Sequence, residues 1–181
     1  MQIALALLNS LIFYVAWGYT VHQAANGDPY TGMFLIVTIV AIYLAITPKR
    51  VKEFQFFALL TLLGTGIDSV WASSKLVLYE SGYSCPSLAP LWISALWLLF
   101  AYAVSTSLYW MYRYMPLSVI SGMIGGPLTY YASFKLGAGT AIEPLPIVMI
   151  ILSVAWGLIF PGTLLLRHLI VEEPQIDDLK S

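Results

Sequence analysis

Residues 145–167 read LPIVMIILSVAWGLIFPGTLLLR, a run in which the final Arg167 is the only charged side chain. A stretch of about 18 or more apolar residues with almost no charge has the length of a helix that crosses a bilayer core. Five similar runs occur, at residues 3–22, 30–47, 54–78, 90–112 and 116–136. These runs are too long and too uniformly apolar for barrel strands, and an open strand edge would leave backbone groups unpaired in lipid. Each run is therefore predicted to be a transmembrane α-helix.

The composition indicates a membrane domain with little attached to it. Of 181 residues, 60% are hydrophobic and 9% are charged, whereas a soluble domain carries about a quarter charged residues. We predict a single all-α domain at residues 1–167, a bundle of six transmembrane helices, followed by an acidic tail at residues 168–181. Eight Lys and Arg against nine Asp and Glu give a net charge of −1. That balance provides no basic surface for a nucleic acid, so this class of partner is excluded.

The distribution of Lys and Arg predicts the orientation, because cations in short loops remain on the cytoplasmic side. With six spans both termini lie on one side, and the opposite side holds only Lys75 and Lys135. We therefore predict that both termini are cytoplasmic. The first span is expected to be retained rather than cleaved as a signal peptide, because Met1-Gln2 supplies no positive charge. The cations on the side of the termini are Lys49, Arg50, Lys52, Arg113, Arg167 and Lys180.

Asp68 is the most unusual residue, because it lies inside the third apolar run, in Gly64-Thr-Gly-Ile-Asp-Ser69. An ionised carboxylate at that depth costs several kcal/mol unless it is paired or hydrated. Two interpretations remain open: a functional carboxylate, or a structural residue that is protonated or hydrogen-bonds Asn9 or a hydroxyl group. Steps of three and four along a helix place Asp68 on one face with five other residues. Those residues are Thr61, Thr65, Ala72, Lys75 and Tyr79.

The fifth run contains two small-residue patterns. Ser118, Gly122 and Gly126 repeat every four residues and predict a flat face on which another helix packs closely. Gly125-Gly126-Pro127 is expected to weaken the helix near mid-membrane, where a broken helix can border a binding site. Packing alone also explains these residues, because Gly and Pro are common in membrane helices.

Several chemistries are excluded by the residues available. His22 and His168 lie at opposite ends of the predicted bundle, and Cys85 is the single cysteine, so no metal site or Ser-His-Asp triad is predicted. The sequence contains no Gly-rich phosphate loop with its lysine, so no nucleotide cofactor is predicted. An enzyme would have to work mainly through Asp68 with lysine, tyrosine and serine side chains. A non-enzymatic protein is therefore the preferred interpretation.

Four sequence features together resemble DUF2878, a family of small proteobacterial inner-membrane proteins of unknown function. These features are Asn9, the Gly64-x-x-x-Asp68-Ser69 segment, and two motifs that begin at Pro90 (PLWISALWLLFA) and Gly125 (GGPLTYYA, then LGA after three residues). The resemblance runs from Asn9 to about Pro161. It implies residence in the bacterial cytoplasmic membrane, and it assigns no catalytic residue. It also implies a lipid-related context, because members are often encoded near cyclopropane-fatty-acid-synthase-like methyltransferases and other lipid-modifying enzymes.

The leading functional hypothesis is a mid-membrane cavity that binds or moves a lipid-like or small amphipathic molecule. The expected binding residues are Asn9, Asp68, Trp97, Gly125, Gly126, Pro127 and Tyr130. Two alternatives remain. One is an intramembrane enzyme that uses Asp68 on a lipid. The other is an assembly partner whose Ser118-Gly122-Gly126 face docks on another membrane protein or on a second copy of the chain.

Overall fold

The structure is a computed structural model that describes residues 2–82 and 88–172. Cys85 and most of the predicted acidic tail lie outside the described residues. Four helical segments in these ranges are long and apolar enough to cross a membrane, at residues 4–25, 50–73, 91–113 and 145–171. The chain is therefore an all-helical, multi-pass membrane protein. The six α-helices within the described ranges are α1 (Gln2–Ala25), α2 (Thr31–Ile46), α3 (Arg50–Ser73), α4 (Leu91–Ala103), α5 (Met115–Leu136) and α6 (Leu145–Val171).

The central element is α4, whose sequence LWISALWLLFAYA is apolar on every side, as expected for a helix surrounded by others. It packs against α1, α2 and α3, while α3 and α5 both pack against α6. Trp92 and Leu99 of α4 are fully buried. The outward faces of the other helices expose large apolar side chains such as Leu62, Ile124 and Leu158. An exposed surface of this kind is typical of contact with lipid.

The fourth predicted span, residues 90–112, is not one regular helix. α4 ends at Ala103, and the chain continues as a π-helical turn (Val104–Leu108) followed by a 3₁₀-helix (Tyr109–Arg113). Three consecutive hydroxyl residues lie in this turn, and Thr106 donates to the Tyr102 carbonyl one turn before it (2.8 Å), a local bond that often bends a helix. Ser105 donates to Glu53 Oε2 of α3 (2.6 Å), and Ser107 donates to the Ala6 carbonyl of α1 (3.0 Å). The π turn therefore lets neighbouring side chains contact two different helices.

The third predicted span, residues 54–78, extends beyond the observed helix. α3 ends at Ser73, and residues Val77–Tyr79 form strand β1, which pairs antiparallel with β2 (Gly139–Ala141). The helix stops because Lys75 adopts a left-handed conformation, with φ of 57°. The amide of Leu76 then donates to the Trp71 carbonyl (2.9 Å), as in a Schellman ending. Lys75 and Tyr79 are consequently not on the α3 face predicted for them, and Lys75 is exposed.

The predicted break at Gly125-Gly126-Pro127 is absent, because α5 is continuous from Met115 to Leu136. Pro127 lacks an amide hydrogen, so the carbonyl of Met123 loses its intrahelical donor. The Ser153 hydroxyl of α6 donates to that carbonyl at 2.7 Å. A side chain of the neighbouring helix therefore satisfies the group that the proline leaves unpaired.

Candidate functional site

Asp68 of α3 is 2% exposed, and its carboxylate accepts hydrogen bonds from three other elements. The hydroxyl groups of Tyr79 in β1 and Tyr130 in α5 donate to Oδ1, the latter at 2.6 Å. The Trp97 indole of α4 donates to Oδ2 at 2.6 Å. Asp68 forms no ion pair within the part of the chain that the structure describes. It therefore joins four elements through neutral donors.

The position of Trp97 explains the Gly64-x-x-x-Asp68 spacing. Residues four apart lie on the same face of a helix, so Gly64 and Asp68 both face α4. A Cβ atom at Gly64 would lie 1.9 Å from Cδ2 of Trp97, far inside van der Waals contact. The missing side chain lets the indole lie flat against α3. This placement brings the indole N–H to the carboxylate one turn further along the helix.

A second indole extends this arrangement to α5 and α6. The rings of Trp97 and Trp156 are stacked, with centroids 5.3 Å apart and planes 5° from parallel. A Cβ at Gly126 would lie 2.0 Å from Cγ of Trp156, and one at Gly122 would lie 2.2 Å from the Trp156 carbonyl oxygen. Ser118 of the same face is fully buried. The small-residue face of α5 therefore packs on α6 of its own chain, which covers it against an external partner.

A cavity of about 340 Å³ lies between α1, α4, α5 and α6, and Asp68 is part of its wall. Eleven of its 24 lining residues are aromatic, and Asp68 is the one residue of the Asp, Glu, Lys, Arg and His types among the described residues that line it. β1 and β2 contribute Tyr79 and Gly139 at one end. The lining residues that are exposed lie on α1 and α5, which barely contact each other, and they mark an opening of the cavity. Tyr14 and Gly125 are exposed at this opening.

Five of the seven predicted binding residues line this cavity. They are Asp68, Trp97, Gly125, Gly126 and Tyr130. The other two lie elsewhere. Asn9 accepts a hydrogen bond from the Tyr102 hydroxyl (2.9 Å), and Pro127 lines a separate shallow groove with Leu145 and Met149. Asn9 and Lys75 are thus not partners of Asp68, which uses hydroxyl and indole donors instead.

The depth of the site also differs from the prediction. Asp68 lies five residues before the end of α3 at Ser73, about 8 Å along the axis at the rise of an α-helix. It had been expected near the middle of a longer span. Residues of β1 are as apolar as those of α3, so the hydropathy of the sequence does not mark the point where the helix ends.

Trp156 is a residue of the site that the sequence does not predict. Its indole nitrogen is buried and lies beside the Tyr130 hydroxyl, but without the geometry of a hydrogen bond within the described residues. A buried donor that lacks an acceptor is uncommon and calls for an explanation. The sequence offered no signal for this role, because Trp156 meets Gly126 and Trp97 only after α5 and α6 pack together.

A buried ion pair at the other end of the bundle was also missed. Arg167 Nη2 of α6 contacts Glu53 Oε1 of α3 at 2.6 Å, and both side chains are at least nine-tenths buried. Ser105 of the π turn bridges them, accepting from Arg167 Nε (3.1 Å) and donating to Glu53. The Arg167 guanidinium also lies 4.2 Å from the centre of the Tyr109 ring. Arg167 had been counted only as a cation that sets orientation, yet it joins α3, α6 and the end of α4.

Glu172, just beyond α6, extends this cluster toward solvent. Lys49 Nζ donates to Glu172 Oε2 at 2.9 Å, and Arg167 Nη1 lies 3.2 Å from Oε1. The hydrogen bond from Lys49 is the main cause that lowers the pKa of the Glu172 carboxyl below its ordinary value of 4.5. These contacts hold the start of α3 against the end of α6.

The fold and the cavity define a class: helical multi-pass membrane proteins with an aromatic-lined internal cavity whose wall, among the described residues, includes one buried carboxyl group, that of Asp68. Within that class, the chain belongs to the family described as Protein of unknown function (DUF2878), whose model matches residues 6–162. The family expected from Asn9, the Gly64–Asp68 spacing and the Pro90 and Gly125 motifs is thereby confirmed. No curated protein and no solved structure matches the chain.

Proposed function

We propose that this protein binds a membrane-resident amphipathic molecule in the cavity between α1 and α5. The observation that carries the proposal is that one cavity combines three features. It has apolar aromatic walls, a polar end at Asp68, and an opening between two helices whose outer faces are apolar. An amphipathic molecule matches this distribution, because its apolar part contacts the rings while its polar part reaches the carboxylate. The hydrophobic effect favours burying such a molecule from the side of the bilayer.

The volume of the cavity suits a ligand that is only partly enclosed by the protein. Ligand cavities in proteins range from about 300 to 1,000 Å³, and this cavity of about 340 Å³ lies near the lower limit. It is large enough for a head group with a short apolar segment. The rest of a longer chain would remain in the bilayer, which it reaches through the opening beside Tyr14 and Gly125.

The buried indole N–H of Trp156 supports the proposal that the bound molecule carries a hydrogen-bond acceptor. A buried N–H group without an acceptor costs about 1–3 kcal/mol. Trp156 lines the cavity, and its N–H makes no hydrogen bond within the described residues. An oxygen atom of the bound molecule would supply an acceptor for this N–H in addition to the adjacent Tyr130 hydroxyl.

Co-purification tests the proposal directly. Gly125→Trp places a large side chain at the opening, where a Cβ meets no atom within 4 Å. Gly66→Trp is the matched control, since Gly66 is equally unobstructed and lies on α3 outside the cavity. Mass spectrometry of protein purified in mild detergent should find a bound amphipathic molecule in the wild type and in Gly66→Trp, and a loss of at least about tenfold in Gly125→Trp. Equal amounts in all three samples would contradict the proposal.

We also propose that all six helices cross the bacterial cytoplasmic membrane, with both termini inside. Contacts at the two ends of the bundle support the alternation of helix directions that this requires. Arg167 and Glu53 join the end of α6 to the start of α3, whereas the β1–β2 pair joins the opposite ends of α3 and α5. A reporter fused after Ser181 should be active only in the cytoplasm, and one inserted in residues 81–89 only outside. The reverse pattern would overturn the orientation.

A further inference from the structure

We infer that the polar end of the bound molecule is an organic cation, a protonated amine or a quaternary ammonium group, held between the Asp68 carboxylate and the surrounding aromatic rings. This inference rests on the proposed function and specifies the ligand of the same cavity. It follows from the charge and the ring geometry of the lining, and these two observations are independent of each other.

The first observation is an uncompensated carboxylate. Tyr79, Tyr130 and Trp97 donate three hydrogen bonds to Asp68, and all three are neutral groups. They stabilise a negative charge on the carboxylate without cancelling it. No Lys, Arg or His is found among the described residues that line the cavity. Ionisable groups within a membrane often pair with one another, and we expect the positive partner of Asp68 to come from the ligand.

The second observation is the arrangement of rings around that carboxylate. The stacked pair of Trp97 and Trp156 forms one wall, although stacking covers one face of each ring and Gly64 covers the other face of Trp97. Tyr79 and Trp92 meet edge to face, with centroids 5.8 Å apart, and line the cavity from β1 and α4. The faces of aromatic rings carry negative electrostatic potential and attract cations, most strongly at indole rings and in desolvated sites. Cages of several such rings are the usual site for quaternary ammonium groups.

The same lining disfavours an anionic head group. A phosphate or carboxylate at this position would bring a second negative charge close to Asp68 in a low-dielectric site, where like charges repel strongly. The ring faces would repel it as well. A lipid that carries both a phosphate and an ammonium would therefore enter with its ammonium toward Asp68.

The test compares three single-chain amphiphiles of equal length in neutral maltoside micelles at pH 8. They are decyltrimethylammonium (cation), decyldimethylamine oxide (no net charge) and decyl sulfate (anion). Binding is measured by the change in tryptophan fluorescence and by thermal shift. We expect the wild type to bind the cation at least about tenfold more tightly than the amine oxide, with no saturable binding of the sulfate.

Asp68→Asn isolates the charge from the shape of the site. The Trp97 N–H can only donate, whereas tyrosine hydroxyls both donate and accept, so an asparagine can direct Oδ1 to Trp97 and its amide hydrogens to Tyr79 and Tyr130. This variant should fold, and its preference for the cation should fall to within about twofold. Tyr130→Phe is the matched control, since it removes one hydrogen bond but keeps the carboxylate and the ring. It should retain the preference.

The outcomes separate this inference from the proposed function. Equal affinities for the three probes in the wild type, abolished by Gly125→Trp, would overturn the cation assignment and leave the cavity as an amphiphile site. A cation preference that persists in Asp68→Asn would also overturn the assignment. Absence of saturable binding for all three probes in the wild type, or binding that Gly125→Trp does not affect, would overturn the proposed function together with the inference.

Discussion

A methyl group added at Gly126 should destabilise the bundle, whereas the same change at the adjacent Gly125 should stabilise it. At Gly126 the new Cβ would lie 2.0 Å from Cγ and 2.5 Å from Cβ of Trp156. These atoms are close to the α6 backbone and cannot rotate away. At Gly125 the new Cβ meets no atom within 4 Å. The two positions are consecutive in one helix, so each controls for the other.

The magnitude follows from two opposing contributions. Replacing Gly by Ala inside a helix stabilises by about 0.5–1 kcal/mol, because alanine loses less backbone entropy on folding. This contribution is nearly the same at both positions and cancels in their difference. Overpacking a tight contact costs about 1–3 kcal/mol, and it applies only at Gly126. Gly126→Ala should therefore be less stable than Gly125→Ala by about 1–3 kcal/mol.

The assay is reversible unfolding of the purified protein in mixed detergent micelles, followed by tryptophan fluorescence or circular dichroism. Gly122→Ala should behave like Gly126→Ala, because its Cβ would lie 2.2 Å from the backbone carbonyl of Trp156, which moves only with α6. If Gly126→Ala and Gly122→Ala are as stable as Gly125→Ala, α6 does not occupy the small-residue face. The packing of the two indole rings would then also be wrong.

Two further predictions concern the ion pairs at the end of α6. Glu53→Gln should destabilise the protein by about 3–5 kcal/mol, because it leaves the buried Arg167 without its main partner. Combining Glu53→Gln with Arg167→Met should recover part of that loss. If the double variant instead loses as much stability as the two single variants together, Glu53 and Arg167 do not interact. Glu172 has a folded-state pKa below its ordinary 4.5, so its contribution is present above pH 4.5 and is lost as the pH falls through the lower folded-state value. The contacts of Glu172 are partly exposed. The free energy of unfolding of the wild type should therefore exceed that of Glu172→Gln by about 1 kcal/mol or less at pH 7, and by less still below pH 4.5. A difference that grows with acidification would contradict this assignment.

Trp97 and Gly64 show how far local sequence information reaches. The Gly64-x-x-x-Asp68 spacing and the Pro90 motif could be recognised as linear patterns, and both contribute to the site. The contact between these two motifs could not be recognised in the sequence, because it depends on α4 lying against α3 so that the Trp97 indole covers Gly64. Tyr79 was expected on the same face as Asp68, and it does contact Asp68, but from a strand.

The membrane class, the apolar segments, the family and five of the cavity residues could be obtained from the sequence alone, because apolarity and small-residue spacing are local properties of the chain. Tertiary structure alone decided the partners of Asp68, the β1–β2 pair, the π turn at Ser105 and the Glu53–Arg167 pair, whose members are 114 residues apart. The physical reason is the solvent. In water the polar face of a helix reveals which side is buried, but lipid makes the outer face as apolar as the core, so hydropathy carries no information about which sides of the helices meet.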